Sequence, residues 1–139
     1  MMILLDTNVL SEILRTSPDA AVLDWFSRRR DDELHVSAVT QAEMMLGVRL
    51  LPQGQRRQRL DDSMRGLFES DFAGRVLPFD SMSVAHYVGV VATCRRAGRP
   101  IAQFDAQIAA IALQNDASLA TRNVRDFDGC GLRLINPFA

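Results

Sequence analysis

Met1-Met2-Ile3-Leu4-Leu5-Asp6-Thr7-Asn8 opens the chain as an apolar run that ends in a carboxylate. A continuous apolar run, without polar alternation, reads as a strand buried on both faces, the kind found in parallel sheets. In open α/β sheets the crevice beyond the carboxyl ends of the strands is where ligands bind, and Asp6 stands there. Three more polar residues, Glu43, Asp105 and Asn123, also lie where an apolar stretch gives way to a helix. Such places gather on one edge of a parallel sheet, and acids collected there would form a divalent-metal site.

Working outward, Val9, Leu10, Ile13 and Leu14 recur at helical spacing. A second helix is predicted from about Asp19 through Val22, Leu23 and Phe26, with Ser17-Pro18 separating the two. Leu34 to Val39 reads as a strand, and Thr40-Gln41-Ala42-Glu43 has the Thr-x-x-Glu form of a capping box, which sets a helix start at Glu43's turn. That helix ends near Leu51-Pro52, and Gly54 opens an arginine-rich helix to about Phe72, an arm packed against its neighbour. Val76 to Phe79 is predicted as a strand and Ser81 to Ala97 as a long helix stopped by Gly98. Asp105 opens an alanine-rich helix through Ile108, Ala109, Ile111 and Ala112, and Leu119-Ala120 and Leu132 to Ile135 supply two last strands. Strands alternating with helices give an α/β fold with a mostly parallel twisted sheet covered on both faces. No repeat or long linker divides the sequence, so residues 1–139 are expected to form a single domain.

With 139 residues, 47% of them hydrophobic, the chain can bury a core without disulfides or a structural metal. It begins on a strand pattern rather than a leader, and no apolar run approaches the ~20 residues that span a bilayer, so a cytoplasmic protein with no membrane contact is expected. Cys94 and Cys130 lie far apart without metal-ligand spacing and read as apolar fillers. A net charge of −1 argues against gripping nucleic acid by bulk electrostatics alone. All 16 basic residues are arginines, with clusters at Arg28-Arg29-Arg30, Arg56-Arg57-Arg59 and Arg95-Arg96-Arg99. The planar guanidinium suits phosphate oxygens, although solvated helix faces explain any single cluster equally well.

Taken singly, Asp6 and Asp105 read as helix caps, Glu43 as the acid of a capping box and Asn123 as a turn residue. Only the joint pattern makes a site. Several carboxylates in one crevice repel and raise one another's pKa unless a cation neutralises them. Oxygen-only ligands suit Mg²⁺ or Mn²⁺ rather than zinc.

Four ordered motifs carry a resemblance that covers essentially the whole chain: Leu4-Leu5-Asp6-Thr7-Asn8-Val9-Leu10-Ser11-Glu12; Ser37 to Glu43 with Gly47; Asp105 to Ala110; and Ala120-Thr121-Arg122-Asn123 with Asp126-Phe127. The chain resembles the PIN-domain toxins, closest to their VapC and FitB-like branch. The resemblance implies a PIN-like three-layer α/β/α fold with an added helical arm. It also implies a Mg²⁺-dependent endoribonuclease of a type II toxin–antitoxin system. Asp6, Glu43 and Asp105 would be the acidic triad that holds Mg²⁺, with Asp6 and Asp105 the direct ligands and Thr7 orienting the site. The fourth position, often aspartate in the family, is matched by Asn123, with Asp126 as the alternative acid, and one Mg²⁺ is the expectation.

In the chemistry so implied, a metal-activated water hydrolyses the phosphodiester, and Glu43 orients that water or accepts its proton. His35 and His86 lie far from the acidic motifs in sequence, which disfavours a paired-histidine mechanism. The resemblance further implies a homodimer, a VapB-like antitoxin and a hetero-oligomer built from the two. Ile13, Leu14, Met44, Met45 and Val48 offer a Met-containing groove for an amphipathic helix, though core packing accounts for them equally well. The implied substrate is tRNA, with initiator tRNA as the first choice, and Arg28, Arg56 and Arg122 are candidate phosphate contacts. Two rivals remain: a catalytically silent PIN domain that binds RNA or protein, and an aspartate-nucleophile phosphatase. The phosphatase is weakened because Asn8 stands where its second acid belongs and the chain has no lysine.

Overall fold

The computed structural model describes residues 1–139. Five strands, β1 (Ile3–Leu5), β2 (Leu34–Ser37), β3 (Val76–Leu77), β4 (Ser118–Ala120) and β5 (Leu134–Ile135), form one sheet in the order β3-β2-β1-β4-β5. Every pairing is parallel, so the sheet goes beyond the mostly parallel expectation. β1 is central because Ile3, Leu4 and Leu5 are all completely buried, as a two-sided apolar strand must be.

Six helices cover the sheet: α1 (Thr7–Ile13), α2 (Ala20–Ser27), α3 (Ala38–Arg49), α4 (Gln55–Gly66), α5 (Ser81–Arg96) and α6 (Gln103–Gln114). The strand pleat divides the core in two. Ile3, Leu5, Leu34, Val36 and Ala120 face a cluster completed by Val9, Leu10, Met44 and Met64, from α1, α3 and α4. Leu4 and Leu119, one step out of phase, face Val90 of α5 and Ile108 and Ile111 of α6. The result is the expected three-layer α/β/α fold.

The second half of the α4 arm is anchored rather than free. After Gly66 the chain widens into one π-type turn, Leu67–Asp71, and the Phe72 N–H reaches the Leu67 carbonyl at 2.9 Å. The wider turn brings Leu67, Phe68 and Phe72 into the first core cluster.

Several local expectations are corrected. α3 starts at Ala38, not at Glu43's turn: the Ser37 hydroxyl caps it, accepting the Thr40 N–H at 3.0 Å. No Thr40–Glu43 capping box forms, because Ser37 at the end of β2 has already supplied the cap. Asp105 does not cap α6. It sits in the helix's first turn, behind an N-cap position held by Ala102 that offers no side-chain acceptor. Leu132 and Arg133 precede β5 rather than forming part of it.

Candidate active site

Strand order reverses direction about β1, which places the ends of β1 and β4 side by side: the Asp6 N–H donates to the Ala120 carbonyl at 2.9 Å. Asp6 caps α1, its Oδ1 accepting the Thr7 N–H at 2.8 Å. Its Oδ2 accepts the Thr121 hydroxyl at 2.8 Å and the Asn8 side-chain amide at 3.3 Å. The capping and functional readings of Asp6 therefore both hold for one side chain. Asp6 is only 4% exposed, and burial raises its pKa more than these hydrogen bonds lower it.

Thr121 and Asn8 also shape the loop after β4. The Thr121 hydroxyl accepts the Asn123 N–H at 3.0 Å, and Asn8 Oδ1 accepts the Arg122 N–H at 3.1 Å. A 3₁₀ turn, Val124–Phe127, follows and is pinned by the buried Phe127. Asn123 and Asp126 are thereby delivered to the same edge as Asp6, and Asp126's charge is felt at both Asp6 and Asp105.

A chain of hydroxyls leads to Glu43. Ser37 Oγ donates to Thr40 Oγ1 at 3.3 Å, Thr40 Oγ1 lies 2.9 Å from Thr7 Oγ1, and Thr7 Oγ1 donates to Glu43 Oε1 at 2.9 Å. Each hydroxyl has one proton, so the directions at the two ends require Thr40 to donate to Thr7. Thr40 is completely buried, and through Thr7 it fixes the Glu43 carboxylate relative to β1. The sequence reading missed Thr40, Ser37 and Thr121 as parts of the site. Their sequence signals are a hydroxyl at, just after, or one helical turn beyond the end of a strand, and a place within the second and fourth motifs.

No hydrogen bond explains Asp105. Burial first, then the charges of Asp6, Asp126 and Glu43, raise its pKa to about 6. The charges of Asp6 at the end of β1, Glu43 on α3 and Asp126 in the loop after β4 thus all bear on Asp105 of α6 across one crevice. The donor set is oxygen alone and electrostatically uncompensated, which fits a hard divalent cation. No three of these carboxylates converge closely enough to ligate one ion unaided. A cation here would keep water ligands, as Mg²⁺ characteristically does.

The remaining candidates separate. Arg28 pairs with Asp24 on the surface of α2, Arg56 lies exposed on α4, and the Arg122 guanidinium sits 4.6 Å over the Phe138 ring. His35 Nδ1 lies 3.2 Å from the Glu33 carbonyl, and His86 lines a separate cavity with Val90 and Cys130. Cys94 and Cys130, distant in sequence, are both buried with their sulfurs 3.8 Å apart as free thiols.

Residues 3–129 match the PIN domain. The chain belongs to the PIN-domain family. Among PIN-domain relatives, it is 42% identical to plasmid stability protein StbB of Pseudomonas syringae pv. tomato over 99% of both chains. It is 39% identical to VapC ribonuclease Y4jK of Sinorhizobium fredii, over 99% of this chain and 98% of that one. A more distant relative, at 26% identity over 92% of this chain and 91% of its own, is the tRNA(fMet)-specific endonuclease VapC of Shigella flexneri. Among solved structures, FitAB bound to an IR36 DNA fragment contains a chain that superposes with a TM-score of 0.94 at 39% identity, covering 99% of this chain and 96% of that one. The chain falls within the VapC and FitB-like branch of the PIN domains. No helix is long and apolar enough to cross a membrane.

Proposed function

We propose that this PIN domain, residues 1–139 acting as one unit, is the toxin of a type II toxin–antitoxin pair and a Mg²⁺-dependent endoribonuclease. The observation that carries the reading is the gathering of Asp6, Glu43, Asp105 and Asp126 about one crevice at the carboxyl edge of the sheet, where the charges of the other three bear on Asp105. Asp6 and Asp105 would hold Mg²⁺ directly with Glu43 as the third acid of the set, and Asn123 or Asp126 would complete it. Mn²⁺ is the substitute ion. A bound divalent ion would lower the pKa of a water and polarise the scissile phosphate.

The chain's own residues do the rest. Thr121 and Asn8 fix the Asp6 carboxylate by hydrogen bonds to Oδ2. Thr7 holds one oxygen of Glu43, leaving the other to orient the attacking water or accept its proton. The favoured substrate is tRNA, initiator tRNA first, a choice supported by the name of the Shigella flexneri relative. Arg122, tied by its backbone to Asn8, is the best placed of the three arginines proposed to contact RNA phosphate; Arg28 and Arg56 are the more peripheral.

A VapB-like antitoxin is the proposed partner, seated in the groove of about 430 Å³ between α1, α3 and α4, lined by Leu14, Met44, Val48, Leu51, Leu60 and Met64. Its position beside Thr7 and Glu43 would let a bound segment reach the acids. A cytoplasmic homodimer, joined by antitoxin into a hetero-oligomer, completes the proposal. The test is cleavage of total bacterial RNA by antitoxin-free protein with Mg²⁺ or Mn²⁺, beside folded Asp6→Asn and Asp105→Asn variants. Discrete cuts lost in both variants support the reading. Absence of cutting by folded wild-type protein across tRNA and ribosomal RNA would favour a silent binding domain instead.

A further inference from the structure

The turn between α5 and α6 and the loop after β4 enclose a cavity of about 360 Å³ that reaches Asp105. Its lining differs from the acid cluster it adjoins. Arg99 and Arg125 bring guanidinium groups, Pro100 and Ile101 an apolar wall, and Asp126 and Asp128 further carboxylates. The volume is near the low end of small-ligand pockets (~300–1,000 Å³), large enough for a single nucleotide unit.

Arg99 is placed by the backbone. α5 ends in a Schellman motif: the Gly98 N–H reaches the Arg95 carbonyl at 3.1 Å and the Arg99 N–H the Cys94 carbonyl at 2.9 Å. In the loop after β4, Gly129 has φ +77, and a methyl group added there would stand 3.0 Å from Arg99 Nη2. The glycine thus leaves room for the guanidinium to lie against the loop. Arg99 pairs with Asp128 at 3.5 Å, but both side chains are more than half exposed, so the pair is weak and exchangeable. Arg125 forms no ion pair although three carboxylates line the same cavity. Both arginines therefore have capacity for an external anion.

We propose that this cavity receives the nucleotide adjoining the scissile linkage of the RNA strand, its phosphate on Arg99 and Arg125 and its base against Pro100 and Ile101. The inference rests on the ribonuclease reading for the identity of the strand. Two guanidinium forks match phosphate oxygens, and they stand at an opening beside Asp105 where acids alone would repel a polyanion. Arg99 and Arg125 are accordingly substrate-binding residues, outside the metal chemistry.

The experiment is fluorescence anisotropy of a labelled single-stranded oligoribonucleotide on the full chain, with Ca²⁺ in place of Mg²⁺, over a range of salt. Arg99→Ala and Arg125→Ala are compared with Arg133→Ala, whose side chain is engaged by Asp116 and Ser118 at the opposite edge of the sheet. Each cavity variant should weaken binding several-fold and lower the log–log salt slope by ~0.7, as expected when one phosphate contact on a single strand is lost. Arg133→Ala should bind as wild type does, and all three should match its melting temperature. Unchanged affinity and slope in both cavity variants, equal losses in Arg133→Ala, or no RNA binding by wild type would overturn the proposal. Loss of binding in the cavity variants together with no Mg²⁺-dependent cutting by wild type would leave the subsite standing and refute the catalytic reading instead.

Discussion

Asp105→Asn should stabilise the metal-free protein while removing a proposed metal ligand. The fold holds this carboxylate against burial and against the charges of Asp6, Asp126 and Glu43, which together raise its pKa from 3.8 to about 6. Such a rise is worth ~3 kcal/mol between the two protonation states. Asp105 is half-buried, and solvent screening reduces its share of stability to ~1–2 kcal/mol. For an acid with a raised folded pKa, the folded state binds the proton more tightly than the unfolded state does. The associated stability is fully present below the unfolded value of 3.8 and is lost as pH rises through about 6. Thermal unfolding in a chelator should therefore show Asp105→Asn melting ~3–8 °C above wild type at neutral pH, with the gap closing towards about pH 4. Saturating Mg²⁺ should then raise the melting temperature of wild type and leave the variant unchanged. A variant no more stable than wild type at neutral pH, or a gap that persists unaltered to about pH 4, would refute the claim that burial and neighbouring charge penalise the Asp105 carboxylate.

Other changes probe the supports. Thr40→Val removes the link between Ser37 and Thr7 and should cost ~1–3 kcal/mol by chemical denaturation; Thr40→Ser should restore stability and cleavage together. Phe127→Ala empties a completely buried position beneath the turn that carries Asp126, with an expected loss of ~3–5 kcal/mol in the same assay. Burial and the neighbouring Cys94 thiol push the Cys130 pKa up to about 12, so Cys130 should resist alkylation at neutral pH in the folded protein and react once it is unfolded. Rapid labelling of the native protein would contradict that burial.

The order of strands and helices was legible because hydrophobic period and turn residues are local quantities. Ile3-Leu4-Leu5 has no polar alternation and can only be a strand covered on both faces. Gly98 marked the end of α5 because the Schellman turn there needs φ +71, a value glycine adopts without strain. Asp6, Glu43, Asp105 and Asn123 stood out because each follows an apolar stretch, so the edge they share was implied once the sheet was read as parallel.

Which residue caps which helix was not legible. Thr40-Gln41-Ala42-Glu43 satisfies the capping-box pattern, yet Ser37 takes the cap because β2 ends directly above the first turn of α3. Sequence separation likewise hid the meeting of Cys94 with Cys130 and the cavity that joins Arg99 and Arg125 to Asp105. The amino-acid sequence by itself determined the order of the elements, their α/β class and the candidate acids, since backbone preference and burial period act over a few residues. Only the tertiary structure decided that a buried Thr40 holds Glu43 through Thr7, that Asp105 has no partner to offset its neighbours, and that two arginines share its opening. Those properties depend on distances between groups tens of residues apart in the chain, which arise only when the strand ends are brought side by side.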